Sequence, residues 1–291
     1  MGIFDIKSVA LVGASNKEGK VGNIILKNLI SDFKGNIYPV NPNYTTIYNL
    51  KSYKSLLEID KDVDTVIVSI PAESVPDIIR EAGEKGIKLA IIISAGFSEV
   101  GRKDLEDKIL EYSRKYNIRI LGPNGMGIYD PYLGFDTFFV DPVRLKRPKR
   151  GGIALLSQSG AISMAVMEWI ANKDIGVSKI ISYGNKIDIN EIDILKELKN
   201  DNNTRAIFIY MEGLKPNTGK EFLDIAKDIN KPIIILKSGK STRGSIAVSS
   251  HTASMAGDYE VYRNLFKQYR IFEPKNMNEF MIYLKTISYY L

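Results

Sequence analysis

The feature that most constrains this chain is a regular alternation of short, continuously apolar runs with stretches of helical periodicity. "TVIVSI" and "LAIIIS" in the first half, and "GIALLS", "RAIFIYME" and "KPIIILKSG" in the second, are apolar along most of their length. A strand wetted on one face alternates apolar and polar residues, so runs like these need cover on both faces. Helices between successive strands supply it, which is the pattern of βαβ units around a parallel sheet. The first series places strands at Ser8–Val12, Gly35–Val40, Thr65–Ser69, Leu89–Ser94 and Arg119–Leu121, with helices near Val21–Ser31, Glu73–Lys85 and Arg102–Tyr116. A second series starts at Gly152 and ends in "NMNEFMIYLKTISYYL", whose apolar residues recur at helical spacing and predict a packed terminal helix. Between the two, Ile128–Arg150 holds three prolines and a basic run without sustained periodicity. The expectation is an α/β chain with one parallel-sheet domain over residues 1–128, a connector over 129–150 and a second parallel-sheet domain over 151–291.

Composition narrows the function. A chain of 291 residues with 44% apolar content can fill both cores. No apolar run approaches the ~18 residues of a membrane span, and "MGIFDIKSVALVGAS" passes straight into a strand and a glycine turn, so a soluble, cytoplasmic protein is expected, with no membrane partner. The absence of cysteine excludes disulfides and thiolate chemistry, and a single histidine leaves no transition-metal site to expect. The net charge of +6 comes from Lys and Arg scattered among acids. The densest basic run, Arg144–Arg150, contains Pro148 and no aromatic residue to stack on a base, so nucleic acid is not the expected partner.

The first strand is followed by Gly13, Ala14, Ser15, Asn16, Lys20 and Gly22, opening a helix. Glycines let the backbone turn tightly against a ligand, and the unpaired N–H groups at a helix start favour a phosphate. The spacing is wider than GxGxxG, and the second strand ends in "YPVNP" (Val40, Asn41) without an acid for a ribose hydroxyl, which weakens a dinucleotide reading. Three further strand ends are unusual: "SIPAE" with Ile70 and Pro71, "SAGFSE" with Ser94, Ala95 and Gly96, and "LGPNGMG" with Asn124. In a parallel sheet these turns converge on one crevice beyond the carboxyl ends of the strands. Each taken singly also fits ordinary turn chemistry.

In the second half, Ser157 and Ser159 precede the helix "AISMAVMEWIANK". Either serine can cap it, and the N–H groups of Gly160 and Ala161 can hold a phosphoryl group; a plain N-cap is the simpler alternative. Leu156 stands where a GxSxG nucleophile elbow needs glycine, so a hydrolase is disfavoured. The only histidine, His251, sits in the polar loop "SSHTAS". Its ring can attack a phosphoryl group through one nitrogen while an acceptor fixes the other. Glu212, at the strand end "YMEGL", is the natural acceptor, or else an ordinary strand-end carboxylate.

The ordered set "YPVNP", "SIPAE", "SAGFSE", "LGPNGMG", "LLSQSGA", "SYGNKIDI", "YMEGL", "KSGKS" and "SSHTAS" resembles the α subunits of nucleoside-diphosphate-forming acyl-CoA synthetases, the ADP-forming acetyl type more than the succinyl type. The resemblance implies a Rossmann-like CoA-binding domain followed by a flavodoxin-like domain carrying a transiently phosphorylated His251 beside Glu212. It makes Gly13, Ala14, Ser15, Asn16, Lys20, Gly22, Val40, Asn41, Ile70, Pro71, Ser94, Ala95, Gly96 and Asn124 the candidates for CoA, and Ser157, Ser159, Gly160 and Ala161 those for phosphate. It also implies a β subunit whose ATP-grasp domain holds Mg-ADP or Mg-ATP in a hetero-oligomer, with CoA, phosphate and a small carboxylic acid as substrates. The chain departs from the pattern of the family it resembles with Gly125 where cysteine is common and Ala253 where glycine is expected. A CoA-binding regulatory or scaffold protein without turnover, and an NAD(P)-dependent dehydrogenase, are the competing readings.

Overall fold

The computed structural model describes residues 2, 4–240 and 259–291. They form two compact units, Met1–Arg144 with Tyr183–Asn190, and Leu145–Ser182 with Glu191–Leu291. Among the described residues no helix is long and apolar enough to cross a membrane.

The first unit runs β1 (Ser8–Val12), α1 (Val21–Asp32), β2 (Asn36–Val40), a small hairpin of β3 (Thr46–Ile47) and β4 (Leu50–Lys51), β5 (Thr65–Val68), α2 (Val75–Lys85), β6 (Leu89–Ile92), α3 (Lys103–Tyr116) and β7 (Arg119–Leu121). Five of these strands pair in parallel in the order β2-β1-β5-β6-β7. Every residue of β1, β5 and β6 is buried, as the unbroken apolar runs require. The helices turn Ile25, Leu26 and Leu29, Val75 and Ile79, and Leu105 and Ile109 to the core. Each such side chain contributes ~1.5–3 kcal/mol by leaving water. Gly86 and Asn117, both in the left-handed region, stop α2 and α3.

The stretch Ile128–Arg150, which lacks sustained periodicity, contains a short antiparallel hairpin of β8 (Gly127–Asp130) and β9 (Phe135–Asp136). Tertiary contacts hold it. Thr137 is fully buried and its Oγ1 accepts from the Ile128 N–H at 2.8 Å, and the Asn28 side chain of α1 donates to the Phe138 carbonyl at 2.8 Å. The segment Tyr183–Asn190, far along the sequence, packs within this first unit and continues the edge at β7: Ile189 N–H donates to Ile120 O at 3.0 Å, and Asp188 accepts from Arg119 at 2.9 Å and from Ile120 N–H at 2.8 Å.

The second unit holds β10 (Arg150–Ser157), α4 (Gly160–Asn172), β11 (Val177–Ser182), α5 (Glu191–Lys199), β12 (Ala206–Met211), α6 (Gly219–Asp228), β13 (Ile233–Lys237), α7 (Tyr259–Gln268) and α8 (Met277–Ser288). Its strands pair in parallel in the order β13-β12-β10-β11. The terminal helix α8 is capped by Asn276, whose side chain accepts from Glu279 N–H at 3.0 Å. It buries Phe280 and Leu284 completely, with the Phe280 ring edge-on to Phe208 at 5.4 Å.

Candidate functional site

The two sheets share one topology. In each, the first strand lies between the second and the third, so the connections leave in opposite senses and a crevice opens between the first and third strands at their carboxyl ends. In the first unit this place is the β1/β5 boundary, and the glycine turn fills it. Gly13 has φ +90°, and a Cβ there would sit 2.5 Å from the Ser69 carbonyl oxygen. A Cβ on Gly22 would sit 2.0 Å from the Gly13 oxygen, so the start of α1 rests directly on the turn. Side chains tie the turn down: Asn41 donates to Ala14 O at 2.7 Å, Asn23 to Ser15 O at 3.0 Å, and Ser15 Oγ accepts from Lys17 N–H at 3.0 Å. Helix α1 begins after Lys20 with no side-chain cap and no acid in its first turn. The helix start therefore keeps its partial positive charge for an anion. Asn16 and Lys20 are exposed beside it, whereas Ala14 and Val40 are buried beneath.

The neighbouring strand ends join this turn. Ser94, after β6, accepts from Ile70 N–H at 3.1 Å and donates to Ile70 O at 2.5 Å, which locks the "SIPAE" and "SAGFSE" turns together. Pro71 and Ala95 are exposed at the rim. Gly96 differs in kind from the other candidates, because Glu99 Oε1 already accepts its N–H at 2.6 Å and that of Phe97 at 3.1 Å. Asn124, left-handed at φ +60°, donates through its backbone to Ser94 O at 2.9 Å. Its side chain donates to Asn185 Oδ1 at 3.3 Å, and Asn185 Nδ2 donates in turn to Glu99 Oε2 at 2.7 Å and Glu106 Oε1 at 2.9 Å. Burial pushes the Glu99 carboxyl up, but hydrogen bonds from Asn185 and the backbone outweigh it and hold the group below its ordinary value.

In the second unit the equivalent boundary is β10/β12, and it joins the serine turn to Glu212. Ser159 caps α4, its side chain accepting from Ile162 N–H at 3.3 Å, so the N-cap reading is correct as far as it goes. Ser157 Oγ accepts from Ser159 N–H at 3.1 Å and donates to its carbonyl at 2.7 Å. The cap uses the Ile162 N–H, and the helix pattern leaves those of Gly160 and Ala161 outside its own ladder. Glu212 is buried at the end of β12, and its N–H and that of Gly213 donate to Gln158 Oε1 at 2.5 and 3.1 Å. The next strand contributes Lys237, fully buried, whose Nζ donates to Glu212 O at 2.7 Å and Ser238 O at 2.6 Å and lies 5.1 Å from the Tyr262 ring centre. Burial pushes the Tyr210 hydroxyl above its ordinary value, and the Glu212 charge adds to the effect. His251 and its loop lie outside the described residues.

Residues 7–131 match the family described as "CoA binding domain", and residues 150–287 the family described as "Succinyl-CoA ligase like flavodoxin domain". The chain is 44% identical over 284 residues to an acetate–CoA ligase [ADP-forming] of Methanocaldococcus jannaschii, covering 97% of this chain and 39% of that one. It is 44% identical over 296 residues to the acetate–CoA ligase [ADP-forming] I subunit alpha of Pyrococcus furiosus, covering 98% of this chain and 63% of the other. The solved dinucleotide forming acetyl-coenzyme A synthetase 1 of Ca. Korarchaeum cryptofilum, in complex with phosphate and ADP, superposes with a TM-score of 0.92 at 36% identity over 97% of this chain and 61% of that chain. The chain belongs to the nucleoside-diphosphate-forming acyl-CoA synthetase family. It spans between 39% and 63% of the length of these curated relatives.

Within this synthetase fold, sequence reasoning did not single out four polar residues that organise the strand ends. Asn185 and Gln158 lie inside quoted motifs, but nothing local says that their amides bridge turns 86 and 54 residues away. Glu99 closes "SAGFSE", and nothing local marks it as the acceptor of the Gly96 and Phe97 N–H groups. Lys237 carried the clearest available signal, a cation ending the otherwise apolar run "IIILK". The Rossmann-like and flavodoxin-like architecture expected of this synthetase family is the one found, with the first sheet parallel throughout and β13-β12-β10-β11 parallel in the second.

Proposed function

We propose that this chain is the α part of an ADP-forming acyl-CoA synthetase, a cytoplasmic acid–thiol ligase that interconverts acyl-CoA, ADP and phosphate with a small carboxylic acid, CoA and ATP. The observation that carries the reading is the placement of the two motif groups: the glycine turn at the switch point of one sheet, and Ser157–Ala161 with Glu212 at the switch point of the other. CoA takes the first crevice, its phosphates at the start of α1 and its remainder along Val40, Asn41, Ile70, Pro71, Ser94, Ala95, Gly96 and Asn124. Phosphate attacks the acyl-CoA carbonyl carbon, the C–S bond breaks, and acyl phosphate and CoA result. One ring nitrogen of His251 then takes the phosphoryl group as the carboxylate leaves, while Glu212 accepts a hydrogen bond from the other nitrogen and stabilises the charged ring. Gly160 and Ala161 N–H groups, aided by the α4 dipole and by Ser157 and Ser159, hold the phosphoryl oxygens. Phosphohistidine passes the group to ADP. The nucleotide and its Mg²⁺ are assigned to a β subunit with an ATP-grasp domain, in a hetero-oligomer; the Pyrococcus furiosus relative, itself named as a subunit alpha, supports that division.

The chain, co-purified with its β partner, is incubated with γ-labelled ATP. Acid-labile, base-stable label on the α chain that disappears in His251→Ala supports the reading, and label that survives this substitution overturns it.

A further inference from the structure

The turn Glu212–Gly213–Leu214 is gripped by side chains from three separate elements. From β10, Gln158 Oε1 accepts the N–H groups of Glu212 and Gly213 at 2.5 and 3.1 Å. From β13, Lys237 Nζ donates to the Glu212 carbonyl at 2.7 Å. From α7, the Tyr262 hydroxyl accepts the Leu214 N–H at 3.2 Å, with its ring beside Lys237 Nζ. Gln158 is 6% exposed and Lys237 1%, so both hydrogen-bonding groups have left water in order to reach this peptide. Burying a lysine charge and a primary amide is costly unless each is matched, and mere strand pairing would not require either. Backbone ladders already pair β12 with β10 up to Tyr210 and with β13 up to Met211. The two side chains begin where the ladders stop, at the residue that must present a carboxylate.

We infer that Gln158 and Lys237 are positioning residues which clamp the Glu212 peptide from both sides and fix where its carboxylate stands for phosphoryl transfer. The inference rests on the role given to Glu212 above. Gln158 sets the N–H side of the peptide and Lys237 the carbonyl side, which removes rotation of the Glu212 main chain beyond the last ladder bond. The Tyr262 phenol, pushed up by burial, stays protonated through the working range and keeps its place as a neutral wall against the lysine.

The test uses the chain assembled with its β partner and measures phosphohistidine formation from γ-labelled ATP, alongside KM for CoA. Gln158→Met and Lys237→Met are each expected to lower the phosphorylation rate roughly 10- to 100-fold, the scale of a misplaced catalytic group. KM for CoA is expected to stay within about twofold, because the glycine turn lies in the other unit. Lys237→Arg keeps donors to the carbonyl and is expected to recover most of the rate. Gln158→Glu keeps an acceptor for both N–H groups but adds a charge next to Glu212, so the acid limb of its rate profile is expected to move to higher pH. A merely structural glutamine would lower stability in Gln158→Met and leave the phosphorylation rate of the folded enzyme unchanged. Wild-type phosphorylation rates in both methionine variants overturn the inference, as does an unshifted limb in Gln158→Glu, which also decides the matter if the methionine variants do not fold. Failure of the underlying reading looks different: Glu212→Gln would then phosphorylate at the wild-type rate, or label would persist in His251→Ala.

Discussion

Gly22 offers a sharp test of the first crevice. A Cβ at this position would lie 2.0 Å from the Gly13 oxygen and 2.8 Å from its carbonyl carbon, whereas real contacts stay above 3.0 Å, so Gly22→Ala forces the helix start and the turn apart by about 1 Å. The obstacle is backbone against backbone, with no flexible side chain to give way. Overpacking of this kind costs ~1–3 kcal/mol, and the upper part of that range applies here. Alanine's better helix propensity returns up to ~1 kcal/mol. The net loss is about 2 kcal/mol, or a fall in Tm of ~4–8 °C. Separating the turn from the α1 N-terminus also spoils the anion site, and CoA affinity is expected to drop about tenfold, equivalent to ~1.4 kcal/mol. Gly219→Ala is the matched control, since Gly219 also opens a helix but has nothing within 4 Å of a built Cβ. Its Tm is expected to hold or rise slightly. Thermal melts and CoA titration calorimetry on the two variants decide the question. A Gly22→Ala chain that melts with the control and binds CoA as the parent does would refute the close approach, and with it the placement of the ligand.

CoA is expected to raise Tm in proportion to ln(1 + [CoA]/Kd), while NAD at equal concentration leaves it unchanged; a shift with NAD alone returns the dehydrogenase reading. The Glu99 carboxyl is held below its ordinary 4.5, so its contribution to stability is complete above that value and is lost as pH falls through the lower folded value. Glu99→Gln is therefore expected to flatten the acid limb of Tm against pH, and an unchanged limb counts against the network around Asn185. Lys179 and Asp201 form an ion pair at 2.9 Å with side chains only 5% and 13% exposed, and Lys179→Met strands a buried carboxylate at a cost of ~3–5 kcal/mol by chemical denaturation. That penalty should shrink as acid protonates Asp201. A variant as stable as the parent at neutral pH would show the pair to be dispensable.

Much of this protein was legible in its residues because the informative signals are local. The runs "SVALV" and "RIL" are strands with the bounds that their apolar pattern predicts, and α1 and α3 lie within one residue of theirs. Two strands stop earlier than expected, at Val68 and Ile92. The serines that follow turn from the ladder to other work: Ser69 Oγ donates to Val12 O at 3.2 Å, and Ser94 spans to Ile70. The β8–β9 hairpin escaped detection because strands of four and two residues carry no period, and buried Thr137 holds them.

The sequence by itself determined that two series of βα units on parallel strands follow one another, that their strand ends carry glycine, serine and amide turns, and that one histidine stands apart; the return of Tyr183–Asn190 to the first unit was not legible. These follow from periodicity and residue chemistry, which act over a few residues. Tertiary structure decided which turns meet. Strand order places the β1 turn beside β5 and β10 and β13 on either side of β12, from which comes the Gln158 and Lys237 grip on Glu212, while the packing of Tyr183–Asn190 at the β7 edge brings the Asn185 bridge to Glu99 and Glu106. Such bonds join residues 25 to 86 positions apart. Their partners are chosen by the packing of whole helices and strands, a cooperative property that no short stretch of residues encodes.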